Sequence, residues 1–189
     1  PMTVDLVLNG TAGAGQLNLS QGELDRIQSG FTAVTLGRID STSDVRVAAA
    51  GVDFTNFDST LTAGPGQNVT VGGPLDTKAN TLAVVLGSGG TFRLGGLIVS
   101  GGADVDLTGA TDTDLIADSS IDTDGGAITF SQAGTLDGGF DLSLLADAGG
   151  AVVSPRIGTG TAVADLTITG GTLTLPQIGA SGTAGASGT

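Results

Sequence analysis

The sequence predicts an all-β fold, a parallel β-solenoid of roughly eight short coils with one short helix near residues 20–30. Three observations carry this. Apolar positions come in short alternating sets, as in "GGAITFSQAGTLDGGFDLSLLADAGGAVV" (residues 125–153), where Ile128/Phe130 and Leu142/Leu144 flank polar residues. Such alternation over two or three residues reads as half-buried strand. The sets are separated by Gly-Gly, Asp-Gly and Ala-Gly pairs, which read as tight turns. The pattern also recurs along the chain.

Two recurrences set the period. "DLSLLADAGGAVVSPRIG" from Asp141 returns as "DLTITGGTLTLPQIG" from Asp165, with Pro-x-Ile-Gly at Pro155 and again at Pro176. A longer echo sets residues 69–109 over residues 128–170, so that Leu75-Asp76 meets Leu136-Asp137 and Leu82/Val84 meets Leu142/Leu144. The first period lies in the low twenties and the second near 60, which reads as three of the shorter units. A coil of two or three short strands needs about that shorter length, and stacking coils buries apolar faces that no single coil can bury alone. Residues 1–179 are therefore read as one solenoid domain. Residues 180–189, "ASGTAGASGT", read as a flexible tail or linker.

One segment departs from the strand pattern. In "SQGELDRIQSGF" (residues 20–31), Ser20 precedes Glu23 by three positions, the spacing of a capping box. Leu24 and Ile27 share a face, and Gly30 stands where a helix stop is expected. A helix of about two turns is predicted, lying between strands near Leu17–Leu19 and Val34–Leu36 and covering a corner of the core.

Composition narrows function. The 34 Gly, 6 Phe and absence of Trp, Tyr, His and Cys leave a core of Leu, Ile, Val and Ala. The net charge of −13 disfavours nucleic acid and anionic lipid, which reward clustered Lys and Arg. No apolar run approaches the ~20 residues of a membrane-spanning helix. The opening "PMTVDLVLNG" lacks the basic and apolar segments of a secretory leader, and the chain reads as a piece of something longer.

Catalysis by His, Cys or Tyr is excluded, since none occurs. Solenoids that act on polysaccharides need aromatic or basic groups along a cleft, whereas the five arginines here are scattered in sequence. No enzymatic activity is expected. The acidic run 101–126 holds three Asp-x-Asp pairs, Asp104/Asp106, Asp112/Asp114 and Asp122/Asp124. Alternation aims both carboxylates of a pair to one side of a strand, and hard oxygen ligands suit calcium. The Gly-Gly-x-Gly-x-Asp repeat of calcium-binding β-rolls is missing, however, as is an EF-hand loop. Solvated surface charge is the competing reading, and no cofactor other than calcium is a candidate. The Thr-x-Thr pairs at Thr111/Thr113, Thr167/Thr169 and Thr172/Thr174 would suit an ice-binding ladder only if they held one place in every coil.

The stretch "LNLSQGELDRIQSGFTAVTLGRIDSTSDVRV" (residues 17–47) resembles a segment of the large secreted bacterial proteins of the filamentous-haemagglutinin type. There, a short helix leads into Gly-Phe, an alternating apolar strand and Gly-Arg, matched here by Gly30-Phe31, Val34-Thr35-Leu36 and Gly37-Arg38. The C-terminal repeats resemble units of the same adhesins. The resemblance implies a right-handed parallel β-helix, exported and displayed at the bacterial cell surface as the stalk of an adhesin or exoprotein. A self-assembling extracellular filament or surface-layer subunit is the alternative. Expected partners are further repeats of the same chain or end-to-end copies of it, and a host or cell-surface glycan or protein receptor. Membrane insertion is not expected. Both ends are expected to lack caps: Val4, Leu6, Val7 and Leu8 begin a strand at once, and Leu173, Leu175 and Ile178 run into the tail.

Overall fold

The computed structural model describes residues 4–11, 13–27 and 30–179. It is a β-solenoid, built almost wholly of parallel strands two to six residues long. Six complete coils, I to VI, span residues 45–63, 69–86, 91–109, 112–130, 135–153 and 156–174, and each gives one strand to each of three sheets. Every coil therefore pairs, strand by strand and in parallel, with the coils before and after it. At the ~4.8 Å spacing of paired strands, six coils make a stack about 29 Å long.

Alternation explains which side chains point inward. In the second sheet, one row runs Val52, Leu75, Ile98, Ile121, Leu144, Ile168, a step of 23 residues at every coil but the last, where it is 24. The first sheet aligns Leu6, Val45, Val69, Phe92, Thr113, Leu136 and Ile157. The third aligns Ser59, Leu82, Val105, Ile128, Val152 and Leu173. Most of these side chains are fully buried in one continuous core. Its large members are Phe54, Phe92 and Phe130, and Phe54 packs on Phe57 with ring centroids 5.8 Å apart.

The pairing confirms the short echo and corrects the long one. Leu142 lies beside Leu166 and Leu144 beside Ile168, as the 24-residue echo requires. Leu75 and Leu136, by contrast, belong to different sheets, as do Leu82 and Leu142. Three coils of 23 residues span 69, so an offset of 60 slides each strand onto the next face around the coil. The error has a physical source: all three faces are short apolar alternations bounded by glycine turns, so one face reads like another.

The corner after the second sheet shows how the turns are made. Thr77, Ser100 and Thr123 stand one above another, fully buried. Each donates its hydroxyl proton to the carbonyl three residues on, at Asn80, Ala103 and Gly126. The two residues that follow the hydroxyl take positive φ in each coil: Lys78 and Ala79, Gly101 and Gly102, Asp124 and Gly125. Paired left-handed residues reverse the chain sharply, and glycine adopts them at least cost.

The N-terminal end is built differently, which also accounts for six complete coils where the sequence period suggests eight. Strand β1 (Asp5–Leu8) belongs to an incomplete coil that ends in β3 (Ala33–Gly37). Between them, β2 (Gln16–Leu19) turns back to pair with the outer side of β1, and helix α1 (Gln21–Leu24) follows. The expectation of an uncapped N-terminal end is therefore overturned. Strand β2 covers β1, and Leu24 is buried in the core, with Leu19 and Ile27 packed against it. The helix is shorter than predicted: it ends at Asp25, not at Gly30. Bonds to the third residue back tighten the chain at Arg26 and Ile27, and the Ile27 carbonyl accepts a proton from Asn56 Nδ2 at 3.0 Å. The tail predicted at residues 180–189 lies outside the described residues.

Candidate functional site

The six candidate calcium ligands do not converge. Asp104 and Asp106 flank Val105 in the third sheet, Asp112 and Asp114 face outward from the first, and Asp122 and Asp124 end the second. No group of three or more carboxylates placed to hold a metal ion occurs among the described residues. Several of the six instead serve the backbone. Asp104 Oδ1 accepts the Ala127 N–H at 2.7 Å, one coil on. Asp106 accepts from the Thr108 N–H and hydroxyl, and Asp122 from the Asp124 N–H. Asp112 accepts the Thr135 hydroxyl at 3.3 Å.

The tie made by Asp104 recurs along the stack. Asp5 accepts the Asp44 N–H, and Asp44 the Asn68 N–H. Asp58 accepts the Thr81 N–H, Asp118 that of Asp141, and Asp141 that of Asp165. Asp137 holds the N–H groups of Gly160 and Thr161. At a corner the strand ladder is interrupted, and a backbone N–H without a ladder partner needs another acceptor. Aspartate is short enough to reach the neighbouring coil at the interstrand spacing. This accounts for a chain whose 19 acidic residues include a single Glu. Composition alone reads these groups as surface charge, and the 23-residue recurrence of Asp at strand starts was the signal available in sequence.

That single Glu works at the helix. Glu23 accepts the Ser20 N–H and hydroxyl at 2.9 and 2.8 Å, and these bonds hold its carboxyl below its ordinary pKa. The Gln21 side chain acts as a substitute strand. Its Nε2 donates to the Asp53 carbonyl and its Oε1 accepts the Asp53 N–H, both at 2.9 Å, closing the edge of the second sheet. Two exposed ion pairs complete the electrostatics. Arg38 grips Asp40 through both Nε and Nη2, lowering the Asp40 pKa, and Lys78 bonds Asp76 and lies 3.8 Å from Asp53, raising its own.

A recessed surface lies beside β3, the outermost strand of the third sheet. A trough is lined by Thr35, Thr60, Thr62, Ile39 and Val85, with Arg38 and Asp40 at its rim. A second runs along Arg26, Ile27, Phe31 and Val34, and the two meet at Thr35. Phe31 is 62% exposed. Hydroxyls, methyl groups and one satisfied ion pair suit contact with another surface and supply no nucleophile with an adjacent base. These residues come from three successive coils, so only the correct period brings them together. The Thr-x-Thr pairs do not join them in a ladder. Thr113 is buried in the first sheet, while Thr167 and Thr172 stand on the second and third.

No helix of the described residues is long and apolar enough to cross a membrane. Compared with known proteins, the chain matches no family model, no curated protein and no solved structure.

Proposed function

We propose that this chain is a rigid, non-enzymatic stalk module of a secreted bacterial surface adhesin, the class that residues 17–47 resemble. The observation that carries the reading is the unbroken row structure. Three apolar rows pass from coil to coil along the stack, and aspartates tie successive coils together at the corners. A solenoid held by nearest-neighbour contacts extends in one dimension and adds length with every repeat. Its side walls are mainly Thr, Ser, Asp and Ala, as suits a spacer presenting something else. A glycan or protein receptor is then engaged elsewhere on the adhesin or along the trough beside β3.

Antibodies raised against the purified module test the reading on cells of the source organism. Intact cells are expected to be labelled, and mild protease is expected to release the epitope. Labelling only after lysis would overturn the surface assignment. Depolymerisation of a polysaccharide by the purified chain would overturn the non-enzymatic one.

A further inference from the structure

The two ends of the stack differ, and the difference points to a partner. At the C-terminal end all three sheets stop on coil VI, at Arg156–Ile157, Leu166–Thr169 and Thr172–Thr174, with only the Ile157–Ile178 bridge beyond. The apolar rows surface there. Val152 and Leu136 are fully buried, whereas Leu173, Leu175 and Ile178 are 45%, 38% and 41% exposed. Asp165 ends a column in which Asp118 and Asp141 each accept an N–H from the next coil. Its own carboxylate accepts nothing among the described residues. This end therefore offers apolar side chains, strand edges in three sheets and an unused acceptor.

Two occupants fit poorly. Residues 180–189 leave from Gly179 at this end, but they hold nothing larger than Thr and no apolar side chain beyond alanine's methyl. The N-terminal end of another copy has the wrong outline. There β2 stands one strand beyond β1, α1 takes the place of a strand beside Asp53, and β3 has nothing outside it. A level coil edge laid on that stepped end meets β2 and the helix and leaves β3 unpaired.

A second C-terminal end has a matching outline. We propose that two copies dock through coil VI about a two-fold axis, Leu173, Leu175 and Ile178 of each packing across the joint. A two-fold contact needs a single self-complementary patch and closes at two copies, so the capped N-terminal ends point outward and no fibre grows. The proposal deepens the structural-module reading by naming the module's partner, and it fails separately. Cell labelling tests display, whereas the dimer is read in solution.

Sedimentation velocity of the 189-residue chain over a concentration series tests it, with small-angle scattering for shape. The expected result is a monomer–dimer equilibrium that stops at two, with the longest dimension near twice that of the monomer. The double variant Leu173→Lys/Ile178→Lys changes only exposed side chains. It is expected to stay monomeric with an unchanged circular dichroism spectrum and melting temperature. Leu17→Lys at the opposite end and removal of residues 180–189 are each expected to leave the dimer intact. A wild-type monomer at high micromolar concentration, growth beyond two copies, or a dimer that survives the double variant would overturn the proposal. So would dimerisation seen only after residues 180–189 are removed, since the tail would then be the occupant.

Discussion

Ser59 shows how little one hydroxyl must misfit to matter. It points into the third sheet's row between Val34 and Leu82, buried, and its Oγ has no hydrogen-bond partner. An unsatisfied buried hydroxyl costs about 1–3 kcal/mol, so Ser59→Ala is expected to raise stability by about 1 kcal/mol in denaturant unfolding. Ala79 is a second local misfit. Its φ of 72° falls where the following coils place Gly102 and Gly125. The left-handed conformation costs a non-glycine residue about 1–2 kcal/mol, partly offset by glycine's greater chain entropy. Ala79→Gly is expected to stabilise by about 0.5–1 kcal/mol, and a loss of stability would mean the Ala79 methyl group contributes packing. Asp104 separates two roles for a carboxylate. As an acceptor for the Ala127 N–H it should tolerate Asn, which keeps an oxygen at that place, and lose about 0.5–1.5 kcal/mol on change to Ala. As a calcium ligand it would make Asn costly in the presence of calcium and harmless without it.

At the scale of elements, the strand row and the helix respond to different variables. Leu144 is fully buried between Ile121 and Ile168. Leu144→Ala is expected to cost about 2–5 kcal/mol, the range for a cavity in a packed core. The helix start responds to pH. Bonds from Ser20 lower the Glu23 pKa from its ordinary 4.5, so their contribution is complete above that value and is lost as pH falls through the lowered one. Wild type is therefore expected to melt above Glu23→Gln at neutral pH, with the difference vanishing by about pH 2, where both are protonated. Lys78 behaves oppositely. Its pKa is raised by Asp76, so its contribution holds below 10.5 and fades as pH rises through the raised value. A Glu23→Gln difference that persists at low pH would show that the residue acts through packing.

The whole molecule is a stack in which neighbouring coils complete one another, and its stability is expected to depend on coil contacts more than on any ion. With no three carboxylates converging among the described residues, a chelator is expected to leave the melting temperature unchanged. A fall reversed by calcium would restore the Asp-x-Asp pairs as ligands, since binding to the folded state alone raises its melting point. Coil number also fixes length. Removing one internal coil, residues 92–114, takes one 23-residue repeat out of phase with nothing else. Such a variant is expected to fold with a stack about 4.8 Å shorter by small-angle scattering. A molten product would mean that the coils are not interchangeable units.

The sequence by itself determined that the chain is a solenoid of short strands, because alternation, glycine turns and a period in the low twenties are local signals that need no partner. It also determined the Ser20–Glu23 helix start and the pairing of coils V and VI, where Leu142/Leu144 and Leu166/Ile168 nearly repeat. Only the tertiary structure decided which face follows which. Leu75 looks like Leu136 because each heads a short apolar-acidic pair, and nothing local distinguishes one sheet from another. It decided the destination of the aspartates as well, since an acceptor for an N–H 23 residues away exists only once the coils stack. The end cap followed from the same cause. Strand β2 and α1 read as one more coil in sequence, and they become a lid because Gln21 meets the free edge at Asp53 and Leu24 meets a core that other coils had already built.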